Sequence, residues 1–306
     1  MGLFKHYESS GVGISKYAPK KKGMALFFDL FFRKFGSITL LNLLFFIFWL
    51  PPYISLFLMS VMKNYNVLLV LLIALFVVFA IFIGPAMAGL TKVTRLFVIQ
   101  KHTFVARDFF RGVRENFKNG VIVGILDTVI ALSVYSGLKI YPYLVGLYDT
   151  KLFYIPMIIT LSVGYVVFLM NFYIFLMMTA TDLTLKNLLK NSFALAFAAL
   201  KQNLISTFFV IVFVLFMFIL FLYMPPFMLI LIPFFPMALV WFIVCFNCYP
   251  VIQKYVINPF YDSIGEINPE FTDGTENIEE ETLFEDMGGK EKPIEKRKKG
   301  KGKRIS

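Results

Sequence analysis

The sequence predicts an all-α integral membrane protein with about six transmembrane helices, amphipathic interfacial helices on the cytoplasmic side and a disordered, charged C-terminal tail. Composition is the first reason. Of 306 residues, 58% are hydrophobic and only 16% charged, with a mean hydropathy of +0.75, far from the balance of a soluble domain. The second is a set of apolar runs, each long enough to cross a hydrocarbon core of about 30 Å. Charge supplies the third. When the runs are threaded alternately, 27 Lys and Arg fall on one side and only Lys63, Lys139 and Lys151 on the other, a strong positive-inside pattern.

Residues 1–23 form a basic segment without the early apolar core of a signal peptide, so the N-terminus is expected to stay in the cytoplasm. The transmembrane domain follows over residues 24–258. It opens with a phenylalanine-rich lead, 24–35, into a span over 36–62, where Pro51-Pro52 removes two backbone donors and either kinks the helix or ends a shorter span near Trp49. A second span, 67–83, stops at Gly84-Pro85. Spans over 119–140 and 152–178 enclose an external loop with Pro142, Gly146 and Asp149. The interval 181–202 returns to the cytoplasmic face, with Asp182 or Thr184 as helix N-cap. Spans over 203–223 and 227–249 are joined by the tight Met224-Pro225-Pro226 hairpin. Six spans put both termini in the cytoplasm.

The longest polar interval inside this apolar body is Gly84 to Gly120, read as a loop held against the cytoplasmic face. Within it, Ala106, Phe110, Val113 and Phe117 recur at helical spacing, and Arg107, Arg111, Arg114 and Lys118 form a basic stripe beside them. Apolar then basic is the order of a helix lying in the headgroup layer, its cations reaching lipid phosphates. The implied partner is a bilayer containing anionic lipids. Because the positive charge sits beside apolar runs, the formal +11 does not imply nucleic acid.

A weak repeat accompanies this pattern. Lys34, Asn116 and Asn203 each sit in a polar lead before a span, 82 and 87 residues apart, suggesting three elbow-plus-hairpin units. Residues 259–306 read as different material. Ten acidic residues and no basic ones lie between 262 and 286, followed by nine basic residues between 290 and 304. Such blocks cannot bury a core.

Candidate chemistry is sparse. Cys245 and Cys248 have redox spacing on one helix face, but no second ligand pair accompanies them, so they read as two small apolar residues. Neither a nucleotide-binding glycine pattern nor a nucleophile with its base is present. Hence no catalytic residue, metal or cofactor is expected, and the chain is read as no enzyme. What remains is a polar layer within the membrane. At 1.5 Å per residue, Asn42, Asp127 and Asn171 lie roughly 9, 12 and 10 Å from the inner ends of three spans. An aspartate at such depth costs roughly 2.5 to 3.5 kcal/mol to insert, so it faces the bundle or a wet cavity. It is either glue between helices or part of a path for ion or substrate.

Three motifs then occur in order: Leu41-Asn42-Leu43-Leu44 with Leu50-Pro51; Gly84-Pro85-Ala86-Met87-Ala88-Gly89-Leu90 with Val93-Thr94-Arg95; and Asp108-Phe109-Phe110 through Glu115-Asn116-Phe117-Lys118. Over residues 24–250 the chain thereby resembles the YesL-like family of bacterial multi-pass membrane proteins, named for a domain of unknown function, 624. It departs from that pattern by an apolar insert from Tyr53 to Ile83, between the Leu-Pro and Gly-Pro motifs. The resemblance implies a bacterial cytoplasmic membrane and an accessory or regulatory role in carbohydrate uptake, with sugar-permease subunits as partners. The rival expectation is a small transporter or channel in its own right, assembled as a homo-oligomer. An enzyme of lipid or sugar chemistry stands third.

Overall fold

The computed structural model describes residues 22–266 apart from Phe235, together with Asn268 and Glu270. The basic residues before 22 and the acidic and basic blocks after 270 lie outside the described residues. Those described are helical, without a strand. They fall into two compact units that divide after Phe35.

In the first unit the described part is the leading stretch of α1 (Gly23–Phe46). Aromatic rings recur there at one-turn spacing: Phe27 stacks on Phe31 at 6.4 Å, and Phe31 meets Phe35 edge-on at 5.7 Å. Asp29 and Arg33 pair at 3.8 Å one turn apart on the same helix. Such an exposed pair is worth only a few tenths of a kcal/mol, about 0.3–0.5.

The second unit begins with the remainder of α1. A short 3₁₀ turn at Ile47–Trp49 then leads into α2 (Leu50–Val61). Pro51 and Pro52 occupy the first turn of α2, where missing N–H groups cost nothing, so the double proline restarts the helix rather than ending the span. After α3 (Tyr65–Val98) come α4 (Val105–Glu115) and α5 (Phe117–Tyr148). The chain turns at Asp149, in the left-handed region at φ 48°. It returns through α6 (Tyr154–Ala180) to α7 (Leu185–Ala198) and α8 (Leu200–Tyr223). Two helices in line, α9 (Pro225–Phe234) and α10 (Pro236–Ile252), a π-helical turn at Gln253–Ile257 and the short α11 (Asn258–Ile264) complete it. Six helical stretches are long and apolar enough to cross a membrane, ending with Pro236–Ile264, so the expected all-α membrane class and span count hold.

The last span is Pro236–Ile264 rather than 227–249, and three further boundaries differ from the sequence reading. First, the second span does not stop at Gly84-Pro85: α3 continues through Pro85 for three more turns. The interval read as a loop is thus the end of α3 plus α4. Proline costs one internal hydrogen bond, but a helix hemmed in by neighbours survives that loss. Second, α5 runs through Pro142 to Tyr148, which shrinks the loop expected at 141–151 to a turn. Third, the stretch expected to be unstructured from residue 259 carries α11, a buried Asn268 and a paired Glu270.

Burial is uneven along the helices. Buried positions crowd into Gly84–Phe97 of α3, Leu169–Met178 of α6, Asn203–Thr207 of α8 and all of α10. By contrast α2 has no buried residue, α3 before Gly84 has only Leu68, and α5 beyond Gly124 only Gly137. Over half of the most apolar window in the final span is buried, against 17% or less in each of the other five. Hence α10 is the axis on which the second unit packs, at the end where α4 and α7 lie. That end is called the elbow end below.

Candidate functional site

The elbow end is built from glycines. A Cβ added at Gly84 would lie 2.7 Å from the Gly120 carbonyl carbon and 2.9 Å from the Gly124 nitrogen, and one at Gly120 would lie 2.8 Å from the Pro85 nitrogen. So α3 and α5 touch backbone to backbone, which only glycine allows. One turn further on, Gly89 faces Phe109 of α4, and a Cβ at Gly112 would lie 2.9 Å from the Gly89 Cα. These contacts clamp α4 across α3. Lys92 and Glu115 form an ion pair over the joint, and Phe109, fully buried, meets Phe48 of the 3₁₀ turn at 6.0 Å.

On its next face α3 presents Thr91, Thr94 and Arg95 to α10. The Trp241 indole N–H donates to Thr91 Oγ1 at 2.7 Å, the Cys245 thiol meets Thr94 Oγ1 at 3.2 Å, and Arg95 Nη1 reaches Tyr249 Oη at 3.3 Å. Trp241, Cys245 and Tyr249 are spaced one turn apart, so a single polar seam follows one edge of α10. A second seam leaves the adjacent edge. Cys248 meets Ser206 Oγ at 3.3 Å, and the Asn247 amide donates to Ser206 Oγ and to the Gln202 carbonyl. From there Tyr173 donates to Asn203 Oδ1 at 2.5 Å, tying α6 to α8. Beside this seam a recess of about 210 Å³ is lined by Gln202, Asn247, Lys254 and Tyr255.

Every glycine of the clamp, and the whole run Gly84 to Arg95, lies inside the stretch that comparison with known families picks out. Residues 38–138 match DUF624, a protein family of unknown function. No curated protein and no solved structure matches the chain. The DUF624 match spans part of α1, α2, α3, α4 and most of α5, while α10 and the seam residues it contributes lie beyond it. Within the DUF624 stretch the Gly-Pro motif thus acquires a physical role: Gly84 and Gly89 seat α5 and α4, and Thr91, Thr94 and Arg95 are turned towards α10.

Of the expected polar layer, the structure brings two members together. Asn171 donates from Nδ2 to Asp127 Oδ1 at 2.8 Å and to its own-helix Val167 carbonyl at 3.2 Å. Asn42 is elsewhere. Its amide donates to the Ile232 and Pro233 carbonyls, at 2.8 and 2.7 Å, and its Oδ1 accepts from the Ala238 N–H at 2.9 Å. Pro236 has no N–H to offer the Ile232 carbonyl one turn back, and the Asn42 amide supplies a donor there. One depth does not imply one site, because which neighbour a side chain meets depends on helix rotation as well as rise.

The face of α4 that packs on its own protein lies one position from the stripe expected to meet lipid. Val105, Phe109 and Gly112 are the buried face, while Ala106, Phe110 and Phe117 are exposed. Sequence reasoning placed the apolar stripe on the lipid side alone; the helix has a second, glycine-notched face for its own protein. Arg107, Arg111, Arg114 and Lys118 are all exposed, and Arg107 lies over the Phe104 ring at 5.9 Å. The two cysteines share α10 but meet different helices, Cys245 on α3 and Cys248 on α8, and both thiols are free. Among the described residues no cluster of His, Cys, Asp and Glu could hold a metal ion.

Sequence reasoning passed over Thr91, Trp241, Tyr249 and Glu270. The signal available was the four-residue spacing of Trp241, Cys245 and Tyr249, a polar edge on a helix otherwise apolar all round.

Proposed function

We propose that this chain is a non-enzymatic multi-pass protein of the bacterial cytoplasmic membrane, acting as an accessory or regulatory partner of a carbohydrate-uptake system. One observation carries the reading: polar side chains among the apolar helices are spent on other helices. Asp127 is held by Asn171, and Asn42 by backbone groups of Ile232, Pro233 and Ala238, as expected of ties within a bundle rather than a lined path. Its carbohydrate side rests on the YesL-like resemblance alone. The 27-to-3 charge asymmetry supports putting the elbow end and both termini in the cytoplasm. There the exposed Arg107, Arg111, Arg114 and Lys118 meet anionic lipid headgroups, each worth about 1 kcal/mol near the surface.

Affinity purification from native membranes, paired with flux measurements on the purified protein in liposomes, tests this. Sugar-permease subunits recovered in stoichiometric yield, with no flux from the protein alone, are the expected result. A second reading, a small transporter or channel acting as a homo-oligomer, is favoured by the Ile232 and Pro233 carbonyls and the Ala238 N–H, which the Asn42 side chain holds, since transporters place sites where helix backbone groups turn to other partners. A homogeneous oligomer that conducts or transports in liposomes would establish that reading and remove the first.

A further inference from the structure

One cation of the elbow end is enclosed rather than exposed. Arg95, on the last turn of α3, has a side chain only 12% exposed, and the Glu270 side chain it meets is 14% exposed. Arg95 Nη1 donates to Glu270 Oε1 at 2.8 Å, and the guanidinium lies 5.8 Å from the centre of the Tyr249 ring. The Tyr249 hydroxyl donates to Glu270 Oε2, and Gln253 Nε2 stands 3.4 Å from the same oxygen. Arg95 Nε is buried and has no partner among the described residues. Every donor of this niche belongs to α3, α10 or the π-helical turn that follows it. Only the acceptor comes from outside the helices, from the segment after α11.

A short turn brings that carboxylate to the niche. Gly265, in the left-handed region at φ 69°, turns the chain back. Asn268 then donates to Asn258 Oδ1 at 3.0 Å and accepts the Glu270 N–H at 2.9 Å. In sequence the segment opens a strongly acidic run, so its carboxylate is one of many that could serve.

We infer that Arg95, Tyr249 and Gln253 form an exchangeable receptor for a phosphate-bearing anion, and that Glu270 is its built-in occupant. A carboxylate has two oxygens, and this one leaves the Arg95 Nε–H unspent. A phosphate has a further acceptor for it, in the forked geometry a guanidinium favours. Leaving a buried guanidinium without a counter-charge is strongly unfavourable, so the niche exchanges one anion for another and does not stand empty. Release of Glu270 gives up its backbone contact with Asn268, so occupancy of the niche is read out just after α11. The inference does not depend on the proposed carbohydrate role.

The test uses the full chain in nanodiscs with a nitroxide on Glu266→Cys, an exposed position; both native thiols are buried. In one arm inorganic phosphate is titrated into phosphatidylcholine discs; in the other, phosphatidic acid replaces part of the lipid and no phosphate is added. The label is expected to become mobile. Mobility gained with free phosphate identifies a soluble source, and mobility gained with phosphatidic acid alone identifies a lipid headgroup. Separately, Glu270→Gln removes the internal competitor and should bind phosphate about tenfold more tightly than the parent chain. Pairing it with Arg95→Met, which removes the buried charge as well, should abolish that binding. A label equally immobile in both arms, together with Glu270→Gln phosphate affinity no higher than the parent's, overturns the inference.

Discussion

Glycine positions separate two kinds of residue that look alike in sequence. Gly36 has no atom within 4 Å of where a Cβ would be, whereas Gly84 faces backbone atoms of α5 below 3 Å. Gly84→Ala must therefore push α3 and α5 apart, which costs about 1–3 kcal/mol or more, while Gly36→Ala in the same chain should be neutral or slightly stabilising. Thermal unfolding of the two variants in detergent measures the difference, and equal midpoints would refute the glycine clamp. Asp127 makes a second residue-scale prediction. Asn171 Oδ1 is buried without a partner, and an amide at position 127 adds a donor while keeping an acceptor for Asn171 Nδ2. Asp127→Asn should be at least as stable as the parent, and Asp127→Leu less stable by about 0.6–1.7 kcal/mol. If Asp127→Asn unfolds more readily, the tie depends on the carboxylate. If it stays folded and an observed flux disappears, the transporter reading gains.

Among elements, the two elbows share a construction. Asn116 donates to the Gly112 carbonyl at the end of α4, and Asn203 to the Leu195 and Ala196 carbonyls at the end of α7. Each asparagine adds a side-chain donor to last-turn carbonyls, two of which, Gly112 and Leu195, also accept a backbone N–H, and each stands at the repeat position read from sequence. Lys34 occupies that position in the first unit, where α1 continues unbroken, so the repeat holds for two of its three members. Asn203 also accepts from Tyr173 and is buried. Asn203→Ala should thus cost about 1–3 kcal/mol through orphaned partners, and Asn116→Ala, at a half-buried site, clearly less. Chemical denaturation of both reads this directly, and a reversed order would show that the caps are not the ties. The apolar spans were legible because runs of this length have one physical destination. Where they end was not: Pro85 and Pro142 read as stops, yet helices packed side by side carry a proline through. The seam was illegible for another reason. Its members, Thr94 and Cys245 among them, are small residues 151 positions apart, and only the rotation of α3 against α10 makes them neighbours.

At the scale of the whole molecule, the single crossing by α6 puts Asp149 and Lys186 on opposite faces. Cysteines introduced at these two exposed positions should react with a membrane-impermeant maleimide from opposite sides of sealed vesicles. Labelling of both from one side would mean that the threading is wrong. The uneven burial has a mechanical consequence for a chain threaded this way. Near the elbows each helix is located by backbone contacts and paired polar groups, which are bistable at most and do not deform smoothly. Towards the opposite end α2, the first half of α3 and the last half of α8 bury almost nothing among the described residues, and a bilayer around them would impose no register. A change in bilayer thickness, worth fractions of a kcal/mol per Å of mismatch, would therefore be absorbed by tilting of these far segments about the Gly84–Gly120 crossing. The thickness of the surrounding lipid is then an input that such a bundle converts into helix angle, while the polar seam along α10 keeps its geometry.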